Sequence, residues 1–141
     1  MIFQFHSKDT LISILIRFIT QGKFNHVSIR IGKYVYEADM GKGVIKTLYS
    51  KWDNSSVVEC ITVKTKHEKK VVKFLNEQVG KKYDITGVLS FLLIFSKPKV
   101  GMWYCSELGF GAYLRSKNNY ISGTEGQKIS PYFLYIILKS R

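Results

Sequence analysis

The sequence predicts an α+β fold, in which a mostly antiparallel sheet packs against a helix that carries a cysteine. Three observations lead to it. Residues 25–31 alternate polar and apolar side chains and lead into Gly32-Lys33, with Tyr34 to Asp39 returning, the signature of a hairpin. Residues 65–80 set apolar side chains at helical spacing among lysines. Residues 103–114 open Trp103-Tyr104-Cys105-Ser106-Glu107-Leu108 and then carry Gly109, Gly111 and Ala112, a helix start with a cysteine in its first turn. Two glycines in a helix each cost about 1 kcal/mol relative to alanine, so their presence points to close packing against neighbours. The 141 residues suffice for one domain, 1–141, with about two-thirds of the unfolded surface buried in a single core.

Along the chain, Ile2 to Phe5 reads as a first strand. Asp9 is placed to cap a helix through about Thr20, with Leu11, Ile12, Leu15, Ile16, Phe18 and Ile19 buried. Gln21-Gly22-Lys23 closes it. In the strand 25–31, Val27, Ile29 and Ile31 point one way, and His26, Ser28 and Arg30 the other. Gly32-Lys33 then suits a type II′ turn, and Tyr34 to Asp39 returns. Val44 to Leu48 and Val57 to Val63 are two more strands, the second holding Cys60 in the core. Thr65-Lys66-His67-Glu68 has the form of a capping box for a helix that turns Val71, Val72, Phe74, Leu75 and Val79 inward. Asp84 to Phe95 reads as a buried helix, and the Cys105 helix runs to about Arg115. Loops follow around Tyr120-Ile121, and Tyr132 to Leu138 is either a strand or a short helix after Pro131, with strand preferred.

Composition narrows the function classes. The chain is 45% hydrophobic, so it is globular rather than a disordered tail. Its 22 Lys and Arg against 10 Asp and Glu give a net charge of +12, which attracts polyanions such as nucleic acid, anionic lipid or wall polymer. The densest basic patch is Lys66, Lys69, Lys70, Lys73, Lys81 and Lys82. Only Cys60 and Cys105 are present, too few for a disulfide framework and without zinc spacing, so no metal or other cofactor is expected and a reducing compartment is the simplest reading. The N-terminus lacks the pattern of a signal peptide, and the longest apolar runs fall short of the ~20 residues that span a bilayer. The expectation is a cytoplasmic or phage-associated protein without a transmembrane segment.

Chemistry is expected where the hairpin and the cysteine helix meet. A thiol near a helix N-terminus lies at the positive end of the macrodipole, which favours the thiolate. If Gly32-Lys33 is a two-residue loop, Ile31 pairs with Tyr34, and His26 shares a face with Glu37 and Asp39. Glu37 lies diagonal to His26, about 7–8 Å between backbones, within reach of its side chain. Either carboxylate can then receive the His26 ring N–H, as the third member of a nucleophile–base–orienter set. Glu37 is preferred because it lies more securely within the strand; Asp39 is the alternative. His6 and His67 have no comparable partners and read as structural.

Four stretches together carry a resemblance: Asn25-His26-Val27-Ser28-Ile29, Tyr36-Glu37-Ala38, Gly80-Lys81-Lys82-Tyr83-Asp84, and Cys105-Ser106-Glu107-Leu108. They resemble the circularly permuted branch of the papain-like, NlpC-like hydrolases, in particular the YiiX/YaeF-like group of permuted amidases, whose histidine strand precedes the cysteine helix. The likeness runs from about Phe5 to Leu138, with Ser130-Pro131 similar to the group's terminal "S-P" element. It implies a circularly permuted papain-like fold, with Cys105 as nucleophile, His26 as general base and Glu37 as orienting acid. It also implies that Tyr83 and Tyr104 lie by the oxyanion and substrate pocket. The activity implied is that of a cysteine peptidase or amidase, cleaving a peptide-like or cell-wall-derived amide, or an acyl-lipid amide, through an acyl-enzyme. A competing expectation is a non-catalytic module on the same scaffold that binds an anionic polymer through the Lys66–Lys82 patch.

Overall fold

A five-stranded antiparallel sheet organises the chain. The computed structural model describes residues 1–10, 13–14, 17–18, 21–89, 101–118 and 129–140. Its strands are β1 (Ile2–His6), β2 (His26–Ile31), β3 (Tyr34–Asp39), β4 (Gly43–Leu48) and β5 (Val57–Thr62), in the order β4-β3-β2-β1-β5. The described helices are α1 (Glu68–Gln78), α2 (Ile85–Leu89), α3 (Cys105–Ser116) and α4 (Pro131–Lys139), with a 3-10 turn at Tyr49–Lys51. The class is α+β, as the residue pattern predicts. No helix among the described residues is long and apolar enough to cross a membrane.

The hairpin forms in the expected register. Ile31 pairs with Tyr34, Arg30 with Val35 and Ile29 with Tyr36. Gly32 takes φ +55° and Lys33 keeps a negative φ, which fits a turn with its one left-handed residue first. The alternation of 25–31 is thereby converted into two faces. Phe3, Val27, Ile29, Tyr36 and Ala38 belong to the core, together with Leu108, Ala112 and Tyr113 of α3. The glycines of α3 admit this close packing: a Cβ at Gly109 would press on Leu134 and approach Val27 and Phe3, and one at Gly111 would press on the Phe74 ring.

Another close approach positions the segment before α2. Val44 N–H donates to Lys81 O and Gly80 N–H to Val44 O, both at 2.8 Å. Gly43, at φ +77°, sits against this crossing, and a Cβ there would run into the Lys81 carbonyl oxygen. Gly43→Ala combines a left-handed backbone with a backbone clash, so it is expected to lower stability by about 3 kcal/mol or more, read from the urea midpoint.

Several expectations need correction. The last element is a helix, α4, because Ser130 accepts the Phe133 N–H, Pro131 opens the first turn, and Pro131, Leu134 and Leu138 are buried at helical spacing. Cys60 is exposed rather than core: β5 is an edge strand whose outward residues, Val58, Cys60 and Thr62, face solvent. Thr65 accepts from the His67 N–H and donates to Ser116 O, so no capping box forms, and His67 caps α1 without a side-chain bond. Val79 is exposed because α1 ends before it; Gln78 is buried instead, accepting from Trp103 Nε1 and donating to Phe74 O. Residues 13–14 and 17–18 are helical, but Thr10 accepts the Ser13 N–H while Asp9 pairs with Arg17, and Phe18 is 81% exposed. Leu11, Ile12, Leu15, Ile16 and Ile19 lie outside the described residues, as do 90–100 and 119–128. Ile85, expected inward, is exposed.

Candidate functional site

The sheet and α3 deliver three side chains to one place. Tyr104 is the N-cap of α3, so Cys105 is its first residue. The sulfur therefore sits among first-turn N–H groups at the positive end of the helix. It lies beside the His26 side chain and the backbone N–H groups of Val27 and Ser106, near enough for each to favour the thiolate. His26 begins β2, and its Nε2 meets Glu37 Oε2 at 2.8 Å. Glu37 Oε1 accepts from Trp52 Nε1 at 2.7 Å. Both carboxylate oxygens are thus held, and Glu37 cannot swing away from the ring without breaking a buried bond. Of the two carboxylates expected to compete, Glu37 is the partner. Asp39 spends Oδ1 on the Gly41 and Lys42 N–H groups of the next turn.

Electrostatics follow from this geometry. Burial alone would pull the His26 imidazolium down, but the adjoining Cys105 sulfur and Glu37 override it and raise the pKa to about 9. Burial works against the Cys105 thiolate as well, yet His26 and the Val27 and Ser106 N–H groups outweigh it and hold the thiol below its ordinary range. Burial likewise opposes ionisation of Glu37; the bonds from His26 and Trp52 win, and its pKa falls to about 2. The shifts run in one direction: each neighbour favours the charged form of the next, from thiolate through imidazolium to carboxylate. Such a set offers a nucleophile and a proton donor side by side, oriented before any substrate arrives.

Tyr83 reaches this place through a parallel bridge to Trp103, fixed by the Trp103 N–H to Lys82 O and the Asp84 N–H to Trp103 O. Burial pushes its phenol above the ordinary range, and the neighbouring Cys105 adds to the shift. Asp84, fully buried, accepts the Gly87 N–H and caps α2. Tyr104 is 1% exposed, and its hydroxyl accepts the Ile129 N–H at 3.0 Å, bracing the segment that leads into α4.

His6, read from sequence as structural, is the residue whose place was missed. It is 1% exposed, with ring nitrogens 3.0 Å from Ser28 Oγ and Ser56 Oγ. Its ring lies edge-on to His26 and to Trp52, at centroid distances of 5.0 and 5.4 Å. The available signal was the strand pairing of His6 with His26, which requires two strands distant in sequence to be aligned.

A groove of about 260 Å³ runs past His6, Glu37 and Trp52, bordered by Lys8, Lys51 and Asp53 among others. The lysine patch is less uniform than its spacing suggests. Lys69, Lys70 and Lys73 are exposed on α1, but Lys81 turns its ammonium to Gln78 Oε1. Among the described residues, no group of three or more His, Cys, Asp or Glu side chains could hold a metal ion. No protein-family model matches the chain, and no curated protein matches it.

Proposed function

We propose that the chain is a cysteine hydrolase acting on a peptide-like amide, on a fold of the circularly permuted papain-like kind, in which Cys105, His26 and Glu37 form the catalytic triad. The observation that carries the reading is the meeting of three buried side chains, with the Cys105 sulfur beside His26 and His26 Nε2 2.8 Å from Glu37 Oε2. A buried carboxylate, an imidazole and a thiol in the first turn of a helix have no need to meet for packing alone, and desolvating them costs stability.

The reaction follows from the charges. The Cys105 thiolate attacks the carbonyl carbon, and the negative charge moves to the carbonyl oxygen, within reach of the Cys105 backbone N–H. His26 gives its proton to the leaving amine as the carbon–nitrogen bond breaks, leaving a thioester on Cys105. Water then adds to the thioester while neutral His26 takes its proton. The acid is released and the thiolate–imidazolium pair is restored. Glu37 keeps the ring aimed and stabilises its positive charge throughout. Tyr83 is near enough to Cys105 for the sulfur's charge to raise its pKa. A peptide-like substrate is the class implied by the resemblance of the four sequence stretches. In cellular terms the reading is of a cytoplasmic or phage-associated enzyme.

Differential labelling tests the reading. At pH 7 an ordinary thiol is only a few per cent thiolate, so a preformed thiolate has roughly 30-fold more of the reactive form, cut to about tenfold by its lower intrinsic nucleophilicity. Iodoacetamide is expected to label Cys105 about tenfold faster than Cys60, although Cys60 is the exposed one. Peptide mass spectrometry after short exposure reads this directly. Faster labelling at Cys60 would remove the basis for a nucleophile at Cys105.

A further inference from the structure

We infer that His6 is a positioning residue of this site: its ring touches both the His26 ring and the Trp52 indole that binds Glu37, and holds the two in register. The inference rests on the hydrolase reading above and deepens it.

Three attachments tie His6 to the strand that carries the base. Its carbonyl accepts the Asn25 N–H at 3.1 Å, immediately before His26. Its Nε2 meets Ser28 Oγ, two residues beyond His26, and its ring packs edge-on against the His26 ring. The other ring nitrogen holds Ser56, whose carbonyl accepts the Ser7 N–H. The same ring also packs edge-on against Trp52, the donor that fixes Glu37 Oε1. One side chain therefore supports the base directly and the acid through its donor.

The hydroxyls also set its proton. Ser28 donates to Gln4 Oε1, so it accepts from His6 Nε2–H and leaves Nδ1 to accept from Ser56. The charged groups that act on His6 are His26 on β2, Lys8 beyond β1, Glu37 on β3 and Asp53 in the loop before β5. Burial and the His26 charge dominate, and the His6 pKa falls to about 3. His6 thus stays neutral from about pH 3 up to about 9, while His26 is charged. A second cation 5.0 Å from the imidazolium would push the proton off His26 and dissolve the ion pair with Cys105.

The test is the pH profile of Cys105 alkylation by iodoacetamide in the full chain. The wild-type rate is expected to rise at low pH, where the thiolate forms against His26. In His6→Phe, which keeps ring volume but neither hydrogen bond, this acid limb should move up by at least one pH unit. At a pH below the wild-type midpoint the rate then drops about tenfold or more, while the rate above pH 10, where any thiol is ionised, is unchanged. Ser56→Ala, which removes one bond and leaves the ring, should move the limb in the same direction by less, and it decides the matter if His6→Phe does not fold. His6→Gln, able to reach Ser28, should restore part of the shift. Wild-type limbs in Ser56→Ala and in folded His6→Phe would overturn the inference while leaving the hydrolase reading intact. A wild-type chain with no low-pH limb would overturn that reading and this inference with it.

Discussion

Cys105→Ala is expected to abolish acyl transfer, with at least a 10³-fold loss of turnover of an activated acyl ester such as a p-nitrophenyl ester. No other described side chain could replace it: Cys60 is on the edge strand β5, away from the core that buries Cys105. The wild-type chain should release a stoichiometric burst of p-nitrophenolate and gain one acyl mass on the peptide containing Cys105. His26→Ala should lose nearly as much, because the thiol then lacks the ring that ionises it and the donor for the leaving group. The two losses should not add, since the residues act as a unit; a double variant should fall no further than Cys105→Ala. Hydrolysis that persists in Cys105→Ala would assign the chemistry elsewhere in the chain.

Glu37→Gln has the second largest expected effect, and it is visible in both activity and stability. The amide keeps the shape of the side chain but loses the charge facing His26. Turnover is expected to fall by about 10²-fold or more, as happens when the orienting acid of a triad is neutralised. The alkaline limb of the rate profile, which follows loss of the His26 proton at about 9, should move to lower pH. Cys105 still faces the ring, so the shift is partial. For stability the sign is fixed by the carboxyl's depressed pKa. Glu37 ionises at about 2 in the folded chain against 4.5 for an ordinary glutamate, so its contribution is full above 4.5 and is lost as pH falls through 2. That difference corresponds to at most about 3 kcal/mol. Urea midpoints should therefore drop between pH 5 and pH 2 in the wild type and less steeply in Glu37→Gln. Equal slopes would show that the carboxylate is not held by His26 and Trp52 in solution.

Much of the site was legible in the residues because its parts are written in local patterns. The alternation around Gly32-Lys33 set the register that puts Glu37 within reach of His26, and small residues after Cys105 marked a helix packed close to the sheet. Elements defined by one period were recovered in this way. The errors fell where local pattern is ambiguous or where a long-range neighbour decides. Tyr132 to Leu138 reads equally as strand or helix, and the Ser130 cap settled it. Cys60 alternates like a core residue, but β5 lies at the sheet edge, which no residue within the strand records.

The sequence by itself determined the hairpin, the helix that starts at Cys105, the basic charge, and Cys105 and His26 with one of two carboxylates as the residues proposed to act together. Tertiary structure alone decided between Glu37 and Asp39, added Trp52 and His6 around them, and set the thiol and imidazole where each favours the other's charged form. The physical reason is that hydrogen-bond direction and burial depend on partners 15 to 50 residues away: Trp52 and Glu37, or His6 and Ser56, meet because strands pair, and periodicity within a strand carries no information about what lies across from it.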